Sequence, residues 1–181
     1  MNEVTHFWDA DITLSDANVR ISLSGAALGT YRNIDSAKSV ISALLIQNGN
    51  DLVDIDPFSG KYRSTLALSQ EDVIKAQEAL QFYTSFSDLG TSNYSWNEAL
   101  PPSLDMFIAG DLGLYFGRSS ELRDIRRKNP NLDFNVAFFP QQTDTRIKST
   151  FGHMNAIAVS KQSPNVSGAL QVASALTGSA I

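Results

Sequence analysis

Apolar residues recur along this chain first at helical spacing, then in short runs, and the alternation repeats from one end to the other. Ala37, Val40, Ile41, Leu44 and Leu45 fall on one stripe, which predicts a helix over Ile34–Gln47. Asn33 or Asp35 can cap its start, and Asn48-Gly49 supplies a left-handed stop. Ser69-Gln-Glu-Asp opens the longest helix with a hydroxyl cap and early acids, and Val73, Ala76, Leu80 and Tyr83 make its inward stripe as far as about Ser87. Pro101-Pro102-Ser103 starts a short helix that Gly110 stops. Ser119–Lys128 has Glu121 early and Arg126, Arg127 and Lys128 late, the charge order that a helix dipole favours. Ser163-Pro164 opens a last helix, with Val166, Ala169, Leu170, Ala173 and Leu176 facing inward.

Between these helices lie runs of extended character. Val19–Leu28 is apolar and small, Leu112–Phe116 reads as a buried strand, and Leu132, Phe134, Val136 and Phe138 alternate with less apolar neighbours. Ala156–Val159 reads as a further strand, and the polar stretch 50–65 as a loop or short hairpin. Helix and strand in alternation define the α/β class. No internal repeat or low-complexity segment interrupts it.

The 181 residues suffice for one domain with a real core, or one lobe of something larger. A formal charge of −5 argues against nucleic acid, whose phosphates need a basic face. With no cysteine, disulfides and thiolate metal sites are excluded. No run approaches the roughly 20 apolar residues of a membrane span, and Met1–Trp8 lacks the basic start and apolar core of a signal peptide.

Motifs for catalysis are poorly matched. Gly117-Arg118-Ser119-Ser120-Glu121 lacks the second glycine of a nucleophile elbow, so Ser119 reads as a helix cap. His6 and His153 have no partner at metal-ligand spacing, and Asp54-x-Asp56 runs into Pro57-Phe58, which is no calcium loop. Gly25-x-x-x-Gly29 lacks the lysine and hydroxyl of a phosphate-binding loop. The sequence therefore offers no catalytic residue, metal site or cofactor motif.

Aromatic residues in loops remain. Tyr94 and Trp96 lie in GTSNYSWN, Tyr115 and Phe116 at a strand end, and Phe151 beside Gly152-His153. An aromatic face with nearby amides and hydroxyls suits a sugar, whose C–H face stacks while its hydroxyls hydrogen-bond. Packing is the competing role for each; the polar neighbours of Trp96 point to an indole that a ligand can reach.

Three stretches, SGAALGTYRNIDSAKSVISALLIQNGNDLVD, FIAGDLGLYFGRSSELRDIRRKNPNLDFNVAFFPQ and GHMNAIAVSKQSPNVSGALQVASAL, together resemble consecutive parts of a bacterial extracellular solute-binding protein. The type is the sugar-binding component of ABC importers, similar in organisation to maltose-binding protein. The resemblance implies one α/β lobe of a two-lobed periplasmic-binding-protein-like fold, spanning 1–181, with a crossing segment between lobes within residues 1–30. It implies a non-enzymatic protein that is extracytoplasmic in its full-length form. Its partners would be a small solute, a carbohydrate first of all, and an ABC permease. It further implies a cleft lined by Trp96, Asn97, Phe116, Gly117, Arg118, Ser119, Phe151, Gly152 and His153. Two other readings stand beside it: a hydrolase or transferase lobe using a loop carboxylate such as Asp111 or Asp144, and the ligand-binding lobe of a sugar-responsive regulator.

Overall fold

The computed structural model describes residues 11–15, 18–142, 148–152 and 156–178. They fall into two compact units, Met1–Phe151 and Gly152–Ile181, each described by itself. The architecture is mixed α/β, with five helices and few, short strands among the described residues.

In the first unit a three-stranded sheet runs in the order β1 (Asp11–Ser15), β2 (Asn18–Ala26), β5 (Leu112–Leu114). β1 pairs antiparallel with β2. β2 pairs parallel with β5, with Ser24 opposite Leu112 and Ala26 opposite Leu114. Parallel strands need a long crossover, and here it carries α1 (Ala37–Gln47), the hairpin β3 (Val53–Ile55) and β4 (Tyr62–Ser64), α2 (Gln70–Ser85) and α3 (Ser103–Ala109). After β5, Ser119–Glu121 forms a single 3₁₀ turn that leads into α4 (Leu122–Lys128).

The helix signals act largely where the sequence puts them. Ser69 and Asp72 make a reciprocal capping box at α2. Gly49 and Gly110 take the left-handed conformation after α1 and α3, at φ 85° and 92°. Asp35 caps a different helix from the one expected. Its Oδ2 accepts from Ser103 Oγ and from the Leu104 amide, so it closes the start of α3, while Ser36 is the N-cap of α1 without a side-chain bond. Of the inward face expected for α2, Tyr83 is buried and Val73 and Ala76 are half-buried, whereas Leu80 is exposed and Ala79 is buried beside it. Helical geometry links Ala79, Tyr83 and Phe86 at i, i+4, i+7, and that stripe is the buried one.

The core gathers Ala26, Ala27 and Leu28 at the end of β2, Ile34, Ala37 and Val40 of the α1 region, and Tyr83, Phe86, Trp96, Met106 and Leu112. The 94–96 loop is stitched into it. Ser24 Oγ donates to Ser95 O at 2.6 Å, Ser95 Oγ donates to Ala26 O at 2.8 Å, and the Ser95 and Trp96 amides both donate to Phe86 O.

Three strand expectations are corrected. β5 ends at Leu114 because β2 offers no partner past Ala26; Tyr115 instead stacks on Phe107 at 5.3 Å. Residues 132–138 form no strand. They lie along the surface through side chains, Phe134 edge-on to Phe107, and Val136 and Phe138 are exposed. Residues 156–159, in the second unit, likewise have no pairing partner among the described residues. That unit contains α5 (Val166–Thr177), capped by Asn165 Oδ1 on the Gly168 amide rather than by Ser163. Val166, Leu170 and Leu176 are exposed within it, contrary to the inward face expected of them.

Candidate functional site

Residues at the carboxyl ends of the two parallel strands define the site. Ala26 closes β2 and Leu114 closes β5; Leu28 and Phe116 follow two residues on, and all four line one cavity of about 560 Å³. Val40, Leu44, Gln47 and Asn48 from the α1 region form a second wall; Glu78, Ala79, Phe82 and Phe86 from the α2 region form a third. Residues 139–142 close the far side, where Phe139 meets Phe116 with ring centroids 5.4 Å apart. In open α/β sheets ligands meet the crevice outside the carboxyl ends of strands, and this cavity occupies that position.

Gln47 fixes the far wall. It is buried, and its Nε2 donates to Pro140 O and to Ser149 O, both at 3.0 Å. Gln141 continues the brace: Nε2 donates to Phe139 O and Pro140 O, and Oε1 accepts from the Ser149 amide. Asn48 Nδ2 donates to Lys75 O and, at 3.3 Å, to Glu78 Oε2, while its Oδ1 accepts from Gln142. The amide donors of Gln47, Asn48 and Gln141 are thus engaged by the protein's own acceptors.

Of the expected cleft residues in the first unit, Phe116 lines this cavity, and Trp96, Asn97, Gly117, Arg118, Ser119 and Phe151 are not among its lining residues. The exposure expected for Trp96 is corrected: it is 0% exposed, its ring lies in the core, and its Nε1 donates to Asn33 Oδ1. Asn97 is half-buried next to it and donates to the Tyr94 hydroxyl at 2.9 Å.

Gly117 is explained by its neighbours rather than by a ligand. A Cβ there would stand 2.3 Å from Tyr115 Cε1 and 2.7 Å from Glu121 Oε2. Glu121 Oε2 accepts from the Tyr115 hydroxyl and from the Arg118 amide, so the turn closes around that carboxylate. Burial first, and the Glu121 charge second, push the Tyr115 phenol far above its ordinary range. Arg118 is exposed and pairs with Glu121 at 3.4 Å. Ser119 is exposed and begins the 3₁₀ turn; Arg118 takes the cap position expected for it. Phe151 is half-buried at the end of the first unit, Gly152 is exposed at the start of the second, and His153 lies outside the described residues.

Leu28, Leu44, Phe82, Phe86 and Phe139 are the large apolar lining residues that sequence reasoning missed. Ala79, Phe82 and Phe86 repeat at i, i+3, i+7, a signal present in the sequence but masked by the Val73-to-Tyr83 stripe. Of the two carboxylates considered for catalysis, Asp111 is exposed at the foot of β5 and Asp144 lies outside the described residues. Among the described residues no group of His, Asp and Glu could hold a metal ion, and no helix is long and apolar enough to cross a membrane. Comparison of the chain with protein-family models, curated proteins and solved structures finds no match.

Proposed function

We propose that the chain is a solute-binding component of an ABC importer, which captures a small molecule without chemically changing it. The observation that carries this reading is the cavity at the ends of β2 and β5. Its volume, apolar lining and few polar groups match the general character of small-molecule sites. The sequence resemblance to sugar-binding importer components supplies the transport context, the permease partner and the extracytoplasmic location. As one lobe of a two-lobed protein, it would hold one side of the solute while the other lobe closes over it.

Thermal melting of the protein against a panel of small solutes tests the reading. A ligand at about 100 times its Kd adds about 2.7 kcal/mol, which in a chain of this size raises Tm by roughly 5–11 °C. A panel spanning sugars, amino acids and apolar ring compounds with no member raising Tm counts against solute capture. Conversion of the bound compound to product would replace this reading with the enzymatic one.

A further inference from the structure

We infer that the strand-end cavity selects an apolar, ring-bearing solute rather than the carbohydrate that the sequence resemblance suggests. This narrows the solute-binding reading and rests on it.

The wall decides the class. Four phenyl rings, Phe82, Phe86, Phe116 and Phe139, line the same space as Leu28 and Leu44. Phe82 and Phe86 meet edge to face at 5.4 Å, and Phe116 and Phe139 are tilted at 5.4 Å, so the rings form two preset pairs in the lining. An aromatic solute beside such a pair adds a further offset-stacked or edge-to-face contact.

A sugar makes the opposite demand. Each of its buried hydroxyls needs a partner, and a hydroxyl without one forfeits the hydrogen bonds it made in water. The amide donors of Gln47, Asn48 and Gln141 are already engaged with backbone carbonyls and with Glu78. Glu78 is the charged residue of the lining, and no lysine or arginine stands in the wall to receive an anion. Phe82 is 49% exposed, so this lining ring also meets solvent.

The probe for the experiment is N-phenyl-1-naphthylamine, an uncharged aromatic fluorophore, with maltose as the sugar arm. The expected result is a fluorescence rise that saturates at one molecule per chain, with no calorimetric heat from maltose. Ala79→Phe places a ring inside the cavity, and Leu44→Asn makes its wall polar. Each is expected to weaken the probe at least tenfold while the far-ultraviolet circular dichroism is unchanged. In the unsubstituted protein, nuclear Overhauser contacts from the probe to the Phe116 and Phe139 rings locate it in the cavity without any variant. Maltose binding without probe binding overturns the inference and leaves solute capture standing. Failure of both overturns the inference, and solute capture then stands or falls on the melting panel. Probe binding that ignores both substitutions and shows no contact with Phe116 or Phe139 places the probe on another surface, and the inference falls.

Discussion

Asn33 Oδ1 accepts the indole N–H of Trp96 at 3.1 Å, and this bond sits at the centre of a fully used amide. The same oxygen accepts from Thr30 Oγ1, and Asn33 Nδ2 donates to Asn97 O and Leu100 O. One side chain therefore ties the turn before α1 to the loop before α3. Asn33→Ala leaves a fully buried indole N–H and two carbonyls without that partner. Each unsatisfied buried group costs about 1–3 kcal/mol, so a total loss on the order of 3 kcal/mol is expected. Urea denaturation should show a lower midpoint at unchanged slope. A midpoint within error of the unsubstituted protein would mean that water replaces the amide without cost.

The turn after β5 makes a prediction that separates packing from surface charge. Gly117→Ala forces its methyl against the Tyr115 ring and the Glu121 carboxylate, and overpacking of this kind costs about 1–3 kcal/mol. Glu121→Ala removes the acceptor of the Tyr115 hydroxyl and of the Arg118 amide together, and is expected to cost about as much. Arg118→Ala removes an exposed ion pair worth a few tenths of a kcal/mol at most. In thermal melts Gly117→Ala and Glu121→Ala are expected to unfold well below Arg118→Ala. If Arg118→Ala proves as damaging as Glu121→Ala, the guanidinium has a role beyond the ion pair.

What the sequence disclosed follows from how local each signal is. The caps at Ser69, Gly49 and Gly110 depend on residues a few positions apart, and the structure uses them there. Asp35 shows the limit of that logic, because its cap acts on a helix 68 residues away, through Ser103. Trp96 shows it again. Ser95 and Asn97 read as solvent-facing neighbours, yet Ser95 spends its polarity on the backbone of β2 and Asn97 on Tyr94 and its own loop. A polar loop is buried here because its hydrogen bonds close inside the protein. The cavity was the least legible feature. Phe116 was visible as a strand-end aromatic, but Leu44, Phe82 and Phe139 become neighbours only through tertiary packing.

The β3–β4 hairpin carries a pH dependence. Asp56 Oδ1 accepts from the Ser59 and Phe58 amides at 2.7 and 3.0 Å, closing the turn from Asp56 to Gly60. These bonds, the Ser59 amide first, hold its carboxyl below the ordinary value of 3.8. A depressed carboxylate pKa adds stability that is fully present above that ordinary value and is lost as pH falls through the lower folded value. The Ser59 amide proton is therefore expected to stay hydrogen-bonded at about pH 5 and to lose that bond as pH drops below 3.8, on amide chemical shifts followed through an acid titration. Asp56→Asn should flatten that titration. An unchanged acid transition in the Asp56→Asn protein would assign it to another carboxylate.

Gln47 gives the last prediction, because it connects the helix to the far wall of the cavity. It is 5% exposed, and its side-chain amide donates to two carbonyls of the closing segment, Pro140 and Ser149. Gln47→Leu keeps the volume near constant and removes both donors, leaving two carbonyls to find water. The helix itself should persist, since leucine has higher helix propensity than most residues and the α1 backbone bonds are untouched. The loss should appear in the wall. Hydrogen exchange at the Gln141, Gln142 and Ser149 amides is expected to accelerate severalfold, while exchange in the middle of α1 stays as it was. Dissociation of a solute from the cavity should quicken with it, because Phe139 rides on the segment that Gln47 holds against Phe116. Equal acceleration throughout α1 would mean that Gln47 supports the helix as a whole, and unchanged exchange at Ser149 would mean that Gln141 holds the wall without it.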